Sequence, residues 1–359
     1  MKKRVLSFLT AAVMTTAMIL SGCSGSQTAA TTAAPASVET KAETAAETKA
    51  EETTTAAPEQ KKEIVVGFSQ VGAESDWRTA NTESMKSTFT EANGYKLIFD
   101  DAQQKQENQL KAVRNFIQQD VDYIVIAPVT ETGWDTVLQE AKDAGIPVII
   151  VDRMINVSDD SLYTAWVGSN FLQEGYDAVA WLDEYLKKNN RADDDINIVT
   201  LQGTIGSSAQ IGRTNGVEEK MKDHNKWKML ERQTGEFTQA KGQEVMESFL
   251  KTYDDIDVVI AENDNMAFGA IDAIKAAGKT CGPNGDIVII SFDAVSAAFD
   301  AMIAGDMNVS VECNPLHGPR VAEIIQKLEK GEKVDKIAYV KEGVYPADTA
   351  EAEKPKRQY

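Results

Sequence analysis

The chain has 359 residues, with 56 acidic side chains against 37 basic ones and a net charge of −19. Acidity on that scale, spread along the whole chain, excludes a nucleic-acid partner, whose phosphates need a basic face. Two histidines, His224 and His317, leave no room for a His-Glu-x-x-His zinc helix.

The amino terminus is the first punctuated segment. Met1-Lys-Lys-Arg4 opens it, an apolar run follows to Leu20, and Leu20-Ser-Gly-Cys23 closes it. A basic start, a short apolar core and small residues at the break predict an export signal over 1–22 rather than a membrane span. Cys23 directly after Leu-Ser-Gly resembles the bacterial lipobox, which implies lipidation of Cys23 and anchoring on the outer face of the cell membrane. Each buried acyl methylene contributes about 0.8 kcal/mol, so two chains hold firmly. Residues 23–62 are Thr, Ala, Glu and Lys with almost no large apolar side chain. Such a stretch cannot offset the entropy of ordering itself and predicts a flexible tether.

From Glu63 to about Thr349 the chain is long for one domain and comfortable for two. Strands are expected at Ile64–Phe68, Tyr95–Phe99, Tyr123–Ala127 and Ile146–Val151, separated by helices near Asp76–Asn93, Gln106–Gln119 and Gly133–Ala144. A helix near Gln173–Asn189 starts a second series, with strands at Ile196–Leu201, Lys228–Thr234, Val258–Ala261 and Ile287–Ser291. Alternation of this kind predicts an α/β fold of two doubly wound parallel-sheet lobes with right-handed crossovers. Cys281 and Cys313 lie in different motifs, one peripheral and one near the cleft, and are expected as two free buried thiols.

Polar and aromatic residues gather where strands end. Ser69, Glu74, Trp77 and Arg78 follow the first strand, and Asp152-Arg153 terminates the β-branched run Ile146–Val151. In the second series Arg213, Phe237, Asn263, Asp293 and Asn314 hold the corresponding places. In open α/β sheets ligands bind beyond the carboxyl ends of the strands. Carboxylates, amides and guanidinium forks take adjacent hydroxyls in pairs, and aromatic faces stack on apolar C–H surfaces. That combination is the chemistry for a sugar.

The body resembles the type I periplasmic sugar-binding proteins of the ribose/galactose class, and within them the galactofuranose-binding members. The residues that carry the resemblance are Phe68-Ser-Gln-Val-Gly72 with Glu74 and Trp77-Arg78, and Gln103-Gln-Lys-Gln-Glu-Asn-Gln109 with Lys111-Ala-Val-Arg114. Ile126-Ala-Pro-Val129, Thr132-Gly-Trp134, Asp152-Arg153, Leu201-Gln-Gly-Thr204 and Lys241-Gly-Gln-Glu-Val-Met-Glu-Ser-Phe249 complete the set. The resemblance implies a monosaccharide, in furanose form, held between two closing lobes, with no cofactor and no metal. It implies Asp152 and Arg153 gripping ring hydroxyls, Trp77 and Arg78 stacking and hydrogen-bonding, and Glu74 matching the galactofuranose members. Arg213, Asn263, Asp293 and Asn314 would form the second lobe's polar set, with Phe237 opposite Trp77. Three chain crossings are expected, near 168–170, 314–315 and 339–343. They divide the body into 63–168 plus 315–341 and 169–314 plus 342–350. A monomeric protein docking on an ABC permease is the implied partnership. The stretch Glu312-Cys-Asn-Pro-Leu-His317 and the acidic Glu262 before Asn263 depart from the family's usual wording.

Two other readings compete. Glu74, Asp152 and Asp293 offer the paired carboxylates of a glycosidase. Without a Gly-x-Ser-x-Gly elbow or a phosphate loop, a binding protein rather than an enzyme is expected. A lipid-anchored sensor presenting its sugar to a histidine kinase or chemoreceptor would have the same body, and neighbouring genes would tell the two apart.

Overall fold

Unbroken apolar runs become strands covered on both faces. In Val148–Val151, alternate residues enter two separate clusters: Val148 and Ile150 pack with Trp134 and Leu138, while Ile149 and Val151 pack with Phe68 and Val321. Each such side chain contributes about 1.5–3 kcal/mol by leaving water. The computed structural model describes residues 63–359, which belong to one compact unit. The expected signal, Cys23 and the tether lie outside the described residues.

Twelve strands occur among the described residues. In chain order they are β1 (Ile64–Gln70), β2 (Tyr95–Asp101), β3 (Tyr123–Ile126), β4 (Val148–Val151), β5 (Ala165–Gly168) and β6 (Ile196–Gln202). They continue with β7 (Trp227–Thr234), β8 (Val258–Ala261), β9 (Val288–Asp293), β10 (Val309–Glu312), β11 (Ile337–Tyr339) and β12 (Val344–Pro346). One sheet runs β11-β5-β4-β3-β1-β2, all parallel. The other runs β12-β10-β9-β8-β6-β7 and is parallel except at its edge, where β12 pairs antiparallel with β10. Strand order reverses between β1 and β3 in one sheet and between β6 and β8 in the other. These reversals are the topological switch points at which such sheets bind ligands.

The chain passes between the sheets three times, through 169–170, 313–317 and 340–343. Strands β5, β10, β11 and β12 were not among the expected strands. The last two have three residues each, with no fully buried position, so they carry no apolar signature. The first expected helix ends early: Asp76–Thr88 is followed by a separate turn, Glu91–Asn93. Strand β4 starts at Val148 rather than Ile146, after Pro147, which has no N–H to donate to a ladder.

The ordered body extends past residue 350. Ala350 is fully buried, Tyr359 accepts the Ser296 N–H through its carbonyl at 2.7 Å, and Arg357 pairs with Glu312 at 2.7 Å. The segment is polar in sequence, and its anchoring by Ala350, Ser296 and Glu312 makes it part of the second sheet's packing. No helix among the described residues is long and apolar enough to cross a membrane.

Candidate functional site

Strand ends aim the site residues into one space. After β1, Ser75 caps the helix Asp76–Thr88 by accepting the Arg78 N–H at 3.1 Å, which sets Trp77 and Arg78 on the first turn. Arg78 is the hub of this side. Its Nε donates to Glu74 Oε1 at 2.9 Å, and its Nη1 meets Asp152 Oδ2 at 2.8 Å and Gln70 Oε1 at 3.1 Å. Arg153 is bound differently. Its Nη1 donates to the Val129 carbonyl at 3.0 Å, but Glu74 and Asp152 lie 3.7 and 4.0 Å away, too far for good hydrogen bonds. Its guanidinium instead lies 5.0 Å from the ring centre of Phe237, which comes from the other sheet.

On the second side Arg213, from the helix Ser208–Met221, is fully engaged. Its Nε donates to Glu174 Oε2 at 2.6 Å, its Nη1 to the Glu262 carbonyl, and its Nη2 lies 3.5 Å from Asp293 Oδ1. Phe171 and Phe292 flank its plane at 5.4 and 4.9 Å. Asn263 caps the helix Asp264–Ala276 by accepting the Met266 N–H, and its Nδ2 holds the Phe237 carbonyl at 3.0 Å. Gly203 gives the Phe237 ring its place: a Cβ there would stand 1.9 Å from the ring's Cζ. Asp152, Phe237 and Asp293 all have positive φ, +62°, +62° and +110°. Non-glycine residues in such conformations cost on the order of 1–3 kcal/mol each and concentrate at binding sites.

These residues line one cleft, the cavity between the two sheets' strand ends. Glu74, Trp77, Arg78, Asp152 and Arg153 line it from the first sheet's side, and Arg213, Phe237, Asn263 and Asp293 from the second's. Hydrogen bonds close its rim: Asp76 N–H to Asn265 Oδ1 at 3.0 Å, Met154 N–H to Ser208 Oγ at 2.7 Å, and Glu131 N–H to the Gly206 carbonyl at 3.0 Å.

A model of the periplasmic binding protein domain matches residues 66–333. The chain belongs to the periplasmic binding protein family. It is 44% identical over 299 residues to the galactofuranose-binding protein YtfQ of Escherichia coli K12, covering 82% of this chain and 92% of that one. A Mycobacterium smegmatis structure in complex with β-D-fucofuranose matches with a TM-score of 0.79 at 44% identity, over 82% of this chain and 95% of that one. The binding component of the arabinose ABC transporter of Shewanella sp. ANA-3, bound to α- and β-L-arabinofuranose, matches at 0.77 and 46%, over 82% and 96% of the two chains. These relatives bind rather than transform, and this member of the family is a binding protein, not an enzyme. Its paired α/β sheets have the type I fold of the family.

Two residues expected in this family's cleft are placed elsewhere. Ser69 is fully buried inside the sheet, in register with Asp100 and Ile126, one residue short of the strand end. Asn314 belongs to the second crossing: its N–H donates to Glu342 Oε1 at 2.7 Å and its Oδ1 accepts the Leu316 N–H at 3.0 Å. Conversely, Phe171 lines the cavity without having been singled out for it, and Cys313, expected only as a free thiol near the cleft, lines it too. Gln70 was also missed; its amide ties Arg78 to Asn81 and Thr82 at the foot of the helix. Nothing in a lone glutamine at a strand end signals that role. Cys281 and Cys313 are both free and buried.

Burial governs the ionisation of this interior. Arg78 is buried, but Glu74 and Asp152 outweigh the desolvation and hold its pKa above the ordinary guanidinium value. Burial lowers Arg153 to about 10, and neighbouring Arg78 adds to the fall. Burial pushes Asp293 well above the carboxylate range against the pull of Arg213. Burial likewise raises Glu262 and Asp264 to about 7 and Glu342 to about 8. His317 goes the other way, down to about 4 by burial.

A carboxyl with a raised folded pKa binds more protons folded than unfolded, so stability falls as pH rises toward that value. Each such group tilts stability by up to about 1.4 kcal/mol per pH unit. His317 opposes this only below its ordinary value of 6.5, where the unfolded chain takes the proton. The melting temperature of the unliganded protein should therefore fall between pH 6.5 and pH 8. In Glu262→Gln the fall should be shallower in scanning calorimetry, and an unchanged slope would contradict the assignment.

Proposed function

We propose that this protein captures a monosaccharide, in furanose form, between two lobes and hands it to an ABC-type permease. The carrying observation is the convergence of three arginines, two aspartates and three aromatic rings from both sheets on one cleft. Arg153, with one good internal hydrogen bond, has donors left for ring hydroxyls, and Trp77 and Phe237 offer faces to C–H surfaces. In this reading the lobes are 63–168 plus 315–341 and 169–314 plus 342–350. The first two crossings and the segment 340–343 absorb their closure. The bonds of Asp76, Glu131 and Met154 across the rim support a closed form that a permease could recognise. The furanose-bound relatives support the ring form.

The test is a thermal-shift and calorimetric series with galactose, arabinose, fucose and ribose, with the bound ring form read by NMR on a ¹³C-labelled sugar. A large shift with furanose signals in the bound state is the expected result. No response to any pentose or hexose would overturn the reading.

Anchoring through Cys23 belongs to the same proposal and rests on Leu20-Ser-Gly-Cys23. In cells grown with labelled palmitate, the wild-type chain should carry label and sediment with membranes. Cys23→Ser should lose both, and label persisting in that variant would rule the anchor out.

A further inference from the structure

Four side chains meet beside the cavity, where the three crossings run side by side, and one of them, Cys313, also lines it. Ser169 belongs to the first crossing, Cys313 to the second and Glu342 to the third. Glu174 stands on the first turn of the helix Phe171–Lys188 that follows the first crossing. The Cys313 sulfur and one carboxylate oxygen each from Glu174 and Glu342 all lie within 4.8 Å of one another. Ser169 Oγ is 3.2 Å from that sulfur and donates to Glu342 Oε1 at 2.6 Å.

This set holds more acceptors than the chain satisfies. Glu174 gives Oε2 to Arg213, but its other oxygen, Oε1, is buried without a hydrogen-bond partner among the described residues. Glu174 is only 3% exposed and Cys313 only 2%. A buried carboxylate oxygen left without a donor is costly, and a second carboxyl close by raises the cost. Burial and the neighbouring Glu174 push both Glu342 and Cys313 upward.

We infer that Glu174, Cys313 and Glu342 form a divalent-cation site in the hinge, suited to Zn²⁺, with the Ser169 hydroxyl beside it. A thiolate with two carboxylates is a donor set for borderline-soft zinc rather than for calcium or magnesium, which take oxygen alone. Zinc bonds of about 2.0–2.3 Å require the donors to draw in to roughly 3.5 Å from one another. Metal binding requires the thiol and the carboxyls in their deprotonated forms, so affinity falls in acid. Because the ligands come from the second crossing, the third and the helix after the first, an ion here ties the hinge segments together. The inference does not depend on what fills the cavity.

Cobalt(II) is the probe, since a thiolate ligand gives it a near-ultraviolet charge-transfer band and tetrahedral coordination gives it strong visible bands. Titrating the full chain should raise these bands to saturation at one equivalent, and zinc should abolish them. Cys313→Ser should remove the charge-transfer band, while Cys23→Ser and Cys281→Ser keep it. Glu342→Gln should weaken cobalt binding by at least about tenfold, the smallest loss that removing even an outer partner of a metal ligand gives. No band in the wild-type chain, with no calorimetric heat from Zn²⁺, would mean a cluster that holds protons only and would overturn the inference. So would a band that survives Cys313→Ser.

Discussion

Arg153→Ala is expected to abolish sugar capture while leaving the unliganded protein folded. Hydrogen bonds to a charged group are worth about 1.5–3 kcal/mol each. Losing two of them weakens binding by roughly 10²- to 10⁴-fold. The unliganded fold has little to lose. Arg153 makes one good hydrogen bond and sits at 3.7 and 4.0 Å from its carboxylates, while Arg78 already satisfies Glu74 and Asp152 at closer range. Burial and the adjacent Arg78 charge both work against the Arg153 cation, so its removal relieves repulsion as well as removing contacts. Calorimetry should find no measurable binding and a melting temperature within a few degrees of wild type. A collapse in stability would make Arg153 a structural residue and sink the assignment.

Arg213→Ala should do the opposite, although both arginines line the same cavity. Arg213 alone holds Glu174 at 2.6 Å, faces Asp293 at 3.5 Å and binds the Glu262 carbonyl. Its loss leaves buried carboxylates without their cation, and breaking such a pair costs about 3–5 kcal/mol. For lobes of this size that corresponds to a fall of about 10 °C or more in melting temperature. Burial holds Glu174 and Asp293 above the ordinary carboxylate value even with Arg213 present, so acid should neutralise them and narrow the deficit. Scanning calorimetry at pH 7 and pH 5.5 checks both parts. A variant that melts with wild type at pH 7 would show that Arg213 is not the counter-charge.

The contrast between these arginines marks how far the site was legible. Asp152-Arg153 stood out because a charged pair follows an uninterrupted apolar run, and Arg78, Phe237 and Asp293 stood out for the same positional reason. Position after a strand told where these side chains gather. It did not tell which guanidinium is spent on internal carboxylates and which has donors left. Asn314 shows the same limit: it follows a strand and is polar, yet Glu342, twenty-eight residues further on, claims its N–H. Glu174 and Glu342 were unremarkable helix and loop carboxylates until the crossings brought them beside Cys313.

By itself the sequence determined the two αβ series, because short β-branched apolar runs bounded by turn residues and alternating with amphipathic helical stretches favour strands covered on both faces, and those signals are local. The strand-end placement of the polar residues follows from the same alternation. Tertiary structure decided the short edge strands β11 and β12, the closing tail with Arg357 and Tyr359, and the division of roles among the buried charges. These depend on partners distant in the chain, and the free energy of a buried charge is set by its nearest opposite charge, which no single stretch of sequence contains.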